Sequence, residues 1–371
     1  MQLAVELQEG LPAPRSLLSV VGTALLPFFD TREAALALRP LCREFRQAVA
    51  AFPWRDRATV IRGGIVGWRA CFPRALAANV IAMETGHTPN GRRTPLVDAD
   101  FVHLVGLREL CMRGCRQVTD AAFVHLRGIR ALDMSRCNQP TITDAAFASL
   151  RGIHTLEMND CTQATITDAA FAPLAGIHTL SMRFCYQPTI TDAAFVHLRG
   201  IQKLSIYYCH QLTDAAFVHL AGIKTLCMGA CNQAAITDAA FEHLVGIQEL
   251  DMSYGCRQIT DAAFVHLRGI QRLDMSFCGQ LTDAAFEHLR GIKRLNMSHC
   301  TQATITDAAM EHLRGIQVLR MSGCNQASIT DAAFEHLRGI QELGLGHCGQ
   351  ERIASAAKRG LPVALFSALS W

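Results

Sequence analysis

The stretch that decides the fold is Ile259-Thr260-Asp261-Ala262-Ala263-Phe264-Val265-His266-Leu267-Arg268-Gly269-Ile270-Gln271-Arg272-Leu273-Asp274-Met275-Ser276-Phe277-Cys278. Close copies of it recur from about residue 98 to residue 350, and successive copies are 22 to 24 residues apart. Asp98 opens a degenerate first copy, and ten copies then carry a Thr-Asp pair, with Asp120, Asp144, Asp168, Asp192, Asp214, Asp238, Asp261, Asp283, Asp307 and Asp331. A period of this size predicts stacked units in a solenoid, each of which buries its apolar face against its neighbours.

Each unit begins with the pattern of a short helix. Thr119 suits the N-cap position, where its hydroxyl can accept a hydrogen bond from a backbone N–H. Asp120 follows in the first turn, where the helix dipole favours negative charge. Gly128 falls where a left-handed residue closes a helix. The predicted helix has only about two turns, so its stability must come from stacking rather than from its own hydrogen bonds.

After the glycine, each unit carries the pattern of one short strand. Leu132 and Met134 are two residues apart and therefore share one face of the strand, which we predict to be buried. Ala131, Asp133 and Ser135 are predicted to point outward. Because every unit contributes one such strand, the strands are expected to form a single parallel sheet.

The run Leu-x-Met-x-x-Cys, followed by Ile-Thr-Asp and a helix, resembles the leucine-rich repeat, in its cysteine-containing subfamily. The resemblance implies an α/β fold: a right-handed, horseshoe-shaped solenoid with one parallel β-strand and one short helix per repeat. We assign eleven repeats to residues 98–350 and predict a C-terminal cap over residues 351–371. Residues 55–97 are expected to form irregular capping repeats and a linker.

Ahead of the repeats, residues 16–54 resemble an F-box, a small three-helix domain, preceded by a loose leader over residues 1–15. The matching features are Leu26-Pro27-Phe28-Phe29-Asp30, then Cys42-Arg43-Glu44-Phe45-Arg46, and finally Trp54. The resemblance implies that apolar side chains here bind the adaptor subunit of a cullin-RING ubiquitin ligase. The expected adaptor-binding residues are Leu17, Leu25, Leu26, Phe28, Phe29, Leu41 and Phe45.

Composition excludes several classes of partner. A net charge of +3 over 371 residues is too small to indicate nucleic-acid binding. The apolar run 16–29 is too short for a membrane span, so no membrane association is expected. Eleven of the fifteen cysteines recur once per repeat, from Cys115 to Cys348, which favours buried, reduced thiols over disulfides. We therefore expect an intracellular protein, cytoplasmic or nuclear, that is monomeric apart from its complex.

The sequence offers no catalytic constellation, and we predict neither an enzyme nor a cofactor. Histidine recurs late on the predicted helix, whereas cysteine recurs after the strand, so the two sets lie on different elements and predict no metal site. A glutamine follows each of the eleven periodic cysteines by two residues, from Gln117 to Gln350. We predict that these amides form a ladder that bonds the backbone of neighbouring turns, with ligand binding as the alternative.

Variable positions on and beyond the strands carry the prediction of a binding surface. Aromatic residues and arginine, the types enriched in protein hot spots, concentrate there. The predicted partner-binding residues are Arg183, Phe184, Tyr186, Tyr207, Tyr208, His210, Asp251, Tyr254, Arg272, Asp274, Phe277, Arg294 and Arg320. The expected function is that of a substrate-recognition subunit of an SCF-type ubiquitin ligase, with an unknown protein target on the repeats. The alternative is a leucine-rich-repeat binding scaffold in which the N-terminal helices serve only as a cap.

Overall fold

The structure of the chain is a computed structural model. It describes residues 26, 30–34, 43–61, 64–80, 96–254, 257–349, 354, 356–357 and 359–364. The side chains of Glu33, Glu44 and Phe45 are not among the described features. All structural statements below refer to this part of the chain.

One sheet of thirteen parallel strands runs the length of the described chain, and its spatial order is the order of the sequence. The strands are Ala77–Asn79 (β1), Glu109–Cys111 (β2), Ala131–Asp133 (β3), Thr155–Glu157 (β4), Thr179–Ser181 (β5), Lys203–Ser205 (β6), Thr225–Cys227 (β7), Glu249–Asp251 (β8), Arg272–Asp274 (β9), Arg294–Asn296 (β10), Val318–Arg320 (β11), Glu342–Gly344 (β12) and Val363–Ala364 (β13). The eleven strands β2 to β12 correspond to the eleven repeats that the period predicts. With strands about 4.8 Å apart, the sheet is about 58 Å long.

The strands pair in register, so equivalent residues of successive repeats form columns. Leu132 of β3 pairs with Leu110 and Leu156 of its neighbours, and all three are buried. The ladder of backbone bonds continues beyond each strand; for example, Met112 N–H donates to the Asp133 carbonyl at 2.8 Å. Asp133 and Ser135, which were predicted to point outward, are only 5% and 0% exposed. Close strand spacing explains the difference, because side chains of adjacent repeats cover one another.

The helical segment of each repeat is tighter than the predicted α-helix. Six segments are 3₁₀ throughout: Asp98–Leu104, Asp168–Leu174, Asp192–Leu198, Asp238–Leu244, Asp261–Leu267 and Asp331–Leu337. Three others begin as one α-turn and continue as 3₁₀: Asp120–Phe123 with Val124–Leu126, Asp144–Phe147 with Ala148–Leu150, and Asp283–Phe286 with Glu287–Leu289. Asp214–Phe217 and Asp307–Glu311 are α-helical. Because a 3₁₀-helix rises about 2.0 Å per residue against about 1.5 Å for an α-helix, it lets seven residues span more of each repeat.

Both predicted helix boundaries are confirmed. The Thr119 hydroxyl accepts a hydrogen bond from the Ala121 N–H at 3.2 Å, and equivalent threonines cap the later repeats in the same way. Gly128 has a φ of +83°, the left-handed conformation that glycine adopts at little cost. The sequence therefore encodes where each helical segment starts and stops.

A second role of the Thr-Asp pair was not predicted. The Asp214 carboxylate accepts two hydrogen bonds from Thr237 of the next repeat, from its N–H at 2.8 Å and its hydroxyl at 2.6 Å. The same pair of bonds joins Asp120 to Thr143. The aspartates thus connect repeats, in addition to lying in the first helical turn.

The predicted glutamine and cysteine ladders are confirmed within the described repeats. The Gln163 amide donates to the Cys137 carbonyl at 3.0 Å, and Gln187 repeats this contact with Cys161 at 3.0 Å. The Cys161 thiol donates to the Met134 carbonyl at 3.3 Å. Such contacts satisfy turn carbonyls that burial removes from water.

A continuous apolar core runs between the sheet and the helical segments. Each repeat adds one fully buried aromatic or methionine side chain from its helix, such as Phe195 or Met310. Burial of one phenylalanine side chain stabilises the fold by roughly 1.5–3 kcal/mol relative to exposure. The periodic cysteines that are described complete this core as buried, reduced thiols.

The N-terminal end of the sheet is covered by short helices at Thr31–Glu33 (α1), Arg43–Ala51 (α2) and Ile65–Cys71 (α3). Trp54 follows α2 and is 1% exposed; its indole N–H donates to the Val49 carbonyl at 2.8 Å. The Trp54 carbonyl accepts the N–H groups of Leu76 and Ala77 at the start of β1. Trp54 therefore attaches α2 to the first strand of the solenoid.

Candidate binding face on the strand side

One residue per repeat, just after the strand and ahead of the cysteine, adopts a positive φ. We call this set the left-handed column: Gly114, Arg136, Asp160, Phe184, Tyr208, Ala230, Tyr254, Phe277, His299, Gly323 and His347, with φ between 56° and 72°. Nine of these residues are not glycine. A left-handed conformation costs a residue with a Cβ atom roughly 1–2 kcal/mol.

The backbone ladder holds the left-handed column in place. The N–H of Phe184 donates to the Tyr207 carbonyl at 2.8 Å, and that of Tyr254 donates to the Ser276 carbonyl at 3.0 Å. Each column residue from Gly114 to Gly323 therefore bonds to the next repeat just as a strand residue does. Since the repeat geometry imposes the conformation, the side chain at each position can vary without loss of the turn.

Five of the predicted partner-binding residues come together in one cluster, which we call the tyrosine cluster. It consists of Phe184, Tyr186, Tyr207, Tyr208 and His210. The ring centroids of Phe184 and Tyr207 are 5.3 Å apart, those of Phe184 and Tyr208 are 5.6 Å apart, and those of Tyr208 and His210 are 4.2 Å apart. Tyr186 and Tyr208 are 53% and 42% exposed, so much of the cluster faces solvent.

A second aromatic group, which we call the ring stack, contains Tyr254, Phe277 and His299. Tyr254 and Phe277 are stacked with centroids 4.8 Å apart, and Phe277 and His299 with centroids 4.4 Å apart. Tyr254 is 54% exposed and Phe277 is 43% exposed. The His299 ring ends the stack by lying over Gly323, where a Cβ atom would come within 2.6 Å of the imidazole.

The predicted arginines take different environments. The Arg183 guanidinium lies 4.9 Å from the Tyr207 ring centroid, a cation–π distance, while Arg183 itself is exposed. Arg272 is 3.3 Å from the Glu249 carboxylate, and Arg320 is 3.2 Å from that of Glu342. Arg294 is exposed on β10. The exposed Arg272–Glu249 pair contributes little to stability, so Arg272 is accessible to a ligand, whereas the Arg320 side chain is only 12% exposed.

The two predicted aspartates are partly buried and form hydrogen bonds within the protein. Asp251 accepts the Ser253 hydroxyl at 2.6 Å and the Cys227 thiol at 3.2 Å. Asp274 accepts the Ser276 hydroxyl at 2.7 Å, as well as the side-chain amide of Asn296. Burial raises the pKa of Asp274 above its usual value, and the nearby Asp251 carboxylate acts in the same direction, against the hydrogen bonds. These aspartates therefore stabilise the sheet through hydrogen bonds, in addition to lying on the predicted binding surface.

Burial also raises the pKa of a tyrosine and of two cysteines near this face. The pKa of Tyr207 is raised by burial and by the neighbouring Tyr254 and Asp251. Burial raises the pKa of the Cys185 thiol to about 12, and that of Cys227 to about 12 with help from the Asp251 carboxylate. A thiol with so high a pKa is a poor nucleophile at neutral pH. Within the described residues, no group of three or more potential ligands is arranged to hold a metal ion.

The left-handed column and the small residues of one repeat were not singled out from the sequence. The sequence did carry a signal for the column. At this one aligned position, two repeats have glycine (Gly114 and Gly323), whereas most of the others have large side chains. Gly229 was also overlooked, although a Cβ atom there would come within 2.9 Å of both the Tyr207 ring and the Ser253 hydroxyl.

The predicted adaptor-binding residues are mostly outside the described part of the chain. Leu17, Leu25, Phe28, Phe29 and Leu41 lie there, and Phe45 belongs to α2 without a described side chain. Leu26 is described and is 0% exposed, within the same continuous core as the repeats. Leu26 can therefore support a docking surface but cannot itself contact a partner.

Comparisons with known proteins agree with the leucine-rich-repeat solenoid that the geometry defines. Two solved structures with this architecture are similar in fold. The structure of the Toll–Spätzle complex from Drosophila matches with a TM-score of 0.54 at 15% identity, over 68% of this chain and 37% of that one. The mouse RP105/MD-1 complex matches with a TM-score of 0.55 at 15% identity, over 73% of this chain and 47% of that one. The chain thus spans less than half the length of either structure.

The family assignment rests on the sequence of the repeats. Residues 111–224 and 210–341 match the BspA type Leucine rich repeat region, which is found in six copies. These matches cover more than half of the chain, which belongs to the BspA-type leucine-rich-repeat family. A search of curated proteins found no match in sequence. None of the helices among the described residues has the length and apolar character needed to cross a membrane.

Proposed function

We propose that this protein is a binding scaffold that holds a protein partner on its strand side, over the tyrosine cluster and the ring stack. The observation that carries the proposal is the row of exposed rings on the left-handed column. Solvation alone gives no reason to place several aromatic side chains at exposed positions of one column. Rings of this type supply much of the binding energy in protein interfaces.

The proposal assigns the chain a binding role and no bond chemistry. Its support is the combination of a rigid base with variable side chains. The backbone ladder fixes each column residue, while the side chain differs from one near-identical repeat to the next. A preformed surface loses little conformational entropy on binding, which favours affinity.

For the N-terminal region, we propose that α2 and Trp54 act as a cap on the first strand. The supporting observations are the burial of Leu26, Val49 and Trp54 in the core and the bonds from β1 to the Trp54 carbonyl. A cap of this kind shields the end of a solenoid from water.

The second candidate is the SCF-type substrate receptor that the F-box resemblance implies. Its support is confined to the sequence of residues 16–54. Deletion of residues 16–50 tests it: loss of a co-purifying cullin-RING adaptor from the deletion variant, with the repeats still folded by circular dichroism, would support the ligase role. If the intact chain captures no such adaptor, only the capping role is left.

The binding role can be tested with one triple variant and one matched control. Tyr208→Ser, Tyr254→Ser and Phe277→Ser together remove exposed rings from the strand side. Val124→Ser, Val218→Ser and Val265→Ser remove exposed apolar side chains from the helix side, where they are 47%, 51% and 40% exposed. Proteins captured from a lysate would be identified by mass spectrometry and then purified.

We expect a direct partner to lose at least tenfold in affinity for the ring variant and less than twofold for the valine variant. Removal of three hot-spot rings justifies this size, since each contributes about 1–2 kcal/mol or more. Equal affinity of both variants for every purified partner would refute the strand side as the binding face.

A further inference from the structure

Basic residues collect on one edge of the solenoid, around the glycine that ends each helical segment. In all eleven repeats, the residue before this glycine and the residue two after it are basic or uncharged, and never aspartate or glutamate. The periodic aspartates lie at the other end of the helical segment, where they accept hydrogen bonds from threonine of the next repeat. The net charge of +3 therefore conceals a separation of positive from negative charge.

The first four repeats hold six basic side chains on this edge, of which five are exposed and His178 is half-buried. We call this set the basic strip: Arg108, Arg127, Arg130, Arg151, His154 and His178. The backbone fixes the members that follow the glycine. The N–H of Arg130 donates to the Arg108 carbonyl at 2.7 Å, and that of His154 donates to the Arg130 carbonyl at 2.9 Å. These residues therefore continue the sheet and follow one another at the strand spacing of about 4.8 Å.

Hydrogen bonds also position the arginine side chains of the basic strip. The Arg108 guanidinium donates to the Gly128 carbonyl at 3.0 Å, directly after Arg127 in the chain, and Arg130 makes the same bond in the following repeat. Each bond uses one of the five N–H groups of the guanidinium and leaves the others for a ligand. Within the described residues, Arg127 and Arg151 take part in no hydrogen bond or ion pair. The guanidiniums are thus held in place and still able to bind.

The two histidines complete the basic strip with stacked imidazole rings. The ring centroids of His154 and His178 are 4.5 Å apart, and the ring planes are inclined by 14°. The Nδ1 atom of His154 lies 3.3 Å from the Thr155 hydroxyl, and that of His178 lies 3.0 Å from the Thr179 hydroxyl. Each ring is therefore held through Nδ1, and its Nε2 atom is left for a ligand.

The acidic side chains nearest to the basic strip lie on the strands. Glu109 on β2 is 3.5 Å from the Arg57 guanidinium, Asp133 on β3 is only 5% exposed, and Glu157 on β4 is half-buried. On the helix side, the position after the buried phenylalanine or methionine is valine or alanine in the first six repeats, but glutamate in four of the last five. One of these glutamates, Glu335, is 2.8 Å from an arginine of its own repeat. Positive charge is therefore least compensated in the basic strip.

We propose that the basic strip binds an acidic α-helix of a protein partner, which lies along the strip with its carboxylates on the guanidiniums. The surface precedes the strands, whereas the tyrosine cluster and the ring stack contain the residues at their ends and beyond. It is therefore a second binding surface, and the inference goes beyond the proposed function.

Spacing favours a helix as the ligand. Arg108 and His178 are three strand spacings apart, about 14 Å. Glutamates at positions i, i+4, i+7 and i+11 share one face of a helix at intervals of about 5–6 Å, close to the spacing of the strip. An extended segment places side chains of one face about 6.8 Å apart and loses register over four repeats. A nucleic acid is disfavoured, because the strip contains no tyrosine, phenylalanine or tryptophan on which bases could stack.

Two variants with the same loss of charge test the location of the site. The strip variant carries Arg108→Gln, Arg127→Gln, Arg130→Gln and Arg151→Gln. The control variant carries Arg268→Gln, Arg290→Gln, Lys293→Gln and Arg314→Gln, at the same two positions of later repeats. Glutamine is native to this edge, since the Gln202 amide donates to the Gly200 carbonyl at 2.9 Å. Thermal unfolding by circular dichroism establishes that each variant is folded.

The probes are two fluorescein-labelled helical peptides of alanine and glutamine, each with four glutamates. The one-face peptide has its glutamates at i, i+4, i+7 and i+11, and its isomer has them distributed around the helix. Affinities are measured by fluorescence anisotropy on the full chain. We expect the one-face peptide to bind at least fivefold tighter than the isomer. Because exposed ion pairs are individually weak, four are removed together, and we expect at least a tenfold loss for the strip variant and less than a threefold change for the control variant.

The outcomes separate the basic strip from the strand-side rings. Equal affinity for the two peptides would overturn the helix as the ligand, and equal losses in the two variants would overturn the strip as the site. Duplex DNA that binds more tightly than the one-face peptide, and is lost from the strip variant, would point to a nucleic acid and against an acidic helix. If the strip variant fails to fold, Arg127→Gln with Arg151→Gln decides, with an expected loss of at least threefold. The triple ring variant should bind the one-face peptide unchanged, so failure of the strip leaves the proposed function standing.

Discussion

Replacement of Asp214 by alanine tests whether the aspartates join successive repeats. The Asp214 carboxylate accepts the N–H of Thr237 at 2.8 Å and its hydroxyl at 2.6 Å. The same hydroxyl accepts the N–H of Ala239 at 3.3 Å, so Thr237 links the preceding repeat to its own helix. Asp214→Ala removes both acceptors and leaves two donors of Thr237 without them.

The expected cost follows from these two bonds. A hydrogen bond to a charged group contributes about 1.5–3 kcal/mol, and water replaces part of this at a half-buried position, which gives a loss of about 2–3 kcal/mol for the pair. Asp214→Asn keeps one oxygen for the Thr237 N–H, so its expected loss is about 1 kcal/mol. Glu242→Ala, on the exposed helix side, serves as the control and is expected to stay within about 0.5 kcal/mol of the unmodified chain.

Urea unfolding followed by far-ultraviolet circular dichroism at pH 7 measures the free energy of unfolding of each variant. Hydrogen exchange locates the effect: the amides of Thr237 and Ala239 should exchange faster, whereas that of Ala145, four repeats away, should not change. This locality is expected because repeats contact only their neighbours. A urea midpoint for Asp214→Ala equal to that of Glu242→Ala would refute the proposed link between repeats.

Three further predictions concern the core and the N-terminal end. Phe195→Ala should lower the free energy of unfolding by about 3–5 kcal/mol, because it leaves a cavity between repeats; urea unfolding measures this, and a loss below 1 kcal/mol would contradict it. Gln187→Leu should lower the free energy of unfolding by about 1–3 kcal/mol, because it leaves the buried Cys161 carbonyl without the hydrogen bond from Gln187; a change within error would contradict the glutamine ladder. Burial raises the pKa of Asp56, but hydrogen bonds from Thr31 and Thr59 outweigh it and hold the pKa below its usual value. The attachment of Thr31 is therefore intact at and above the usual pKa of an aspartate and should be lost as the pH falls through the lowered pKa of Asp56. The exchange rate of the Thr31 amide at decreasing pH would measure this; a rate equal to that of Asp56→Ala at pH 5 would contradict it.

The architecture could be predicted because the same local signals recur in every repeat. Thr119 and Gly128 mark the ends of the helical segment, and Leu132 and Met134 mark the buried side of the strand. The tight 3₁₀ form was not predictable from these residues, because it depends on the distance that the segment must span beside its neighbours. The bond between Asp214 and Thr237 was missed because each residue already had a role in its own helical segment. Aspartate was explained by the helix dipole, and threonine by the N-cap.

The binding face could be predicted in part. Aromatic residues such as Phe184 and Tyr208 were found because they vary where the rest of the repeat does not. Their shared backbone conformation was missed, since nothing in an isolated repeat forces a tyrosine to a positive φ; the bond to the following repeat does so.

The hydrogen bonds that threonine hydroxyls and glutamine amides donate between repeats all run from the later repeat to the earlier one, and this gives the stack a direction. At each joint the later repeat donates, through threonine and glutamine, and the earlier repeat accepts. At the last repeat, the Arg359 guanidinium lies 3.8 Å from Asp331 and 3.1 Å from Glu335, where a further repeat would supply its threonine. Arg359 thereby pairs with Asp331, whose equivalents in earlier repeats accept hydrogen bonds from the threonine of the following repeat.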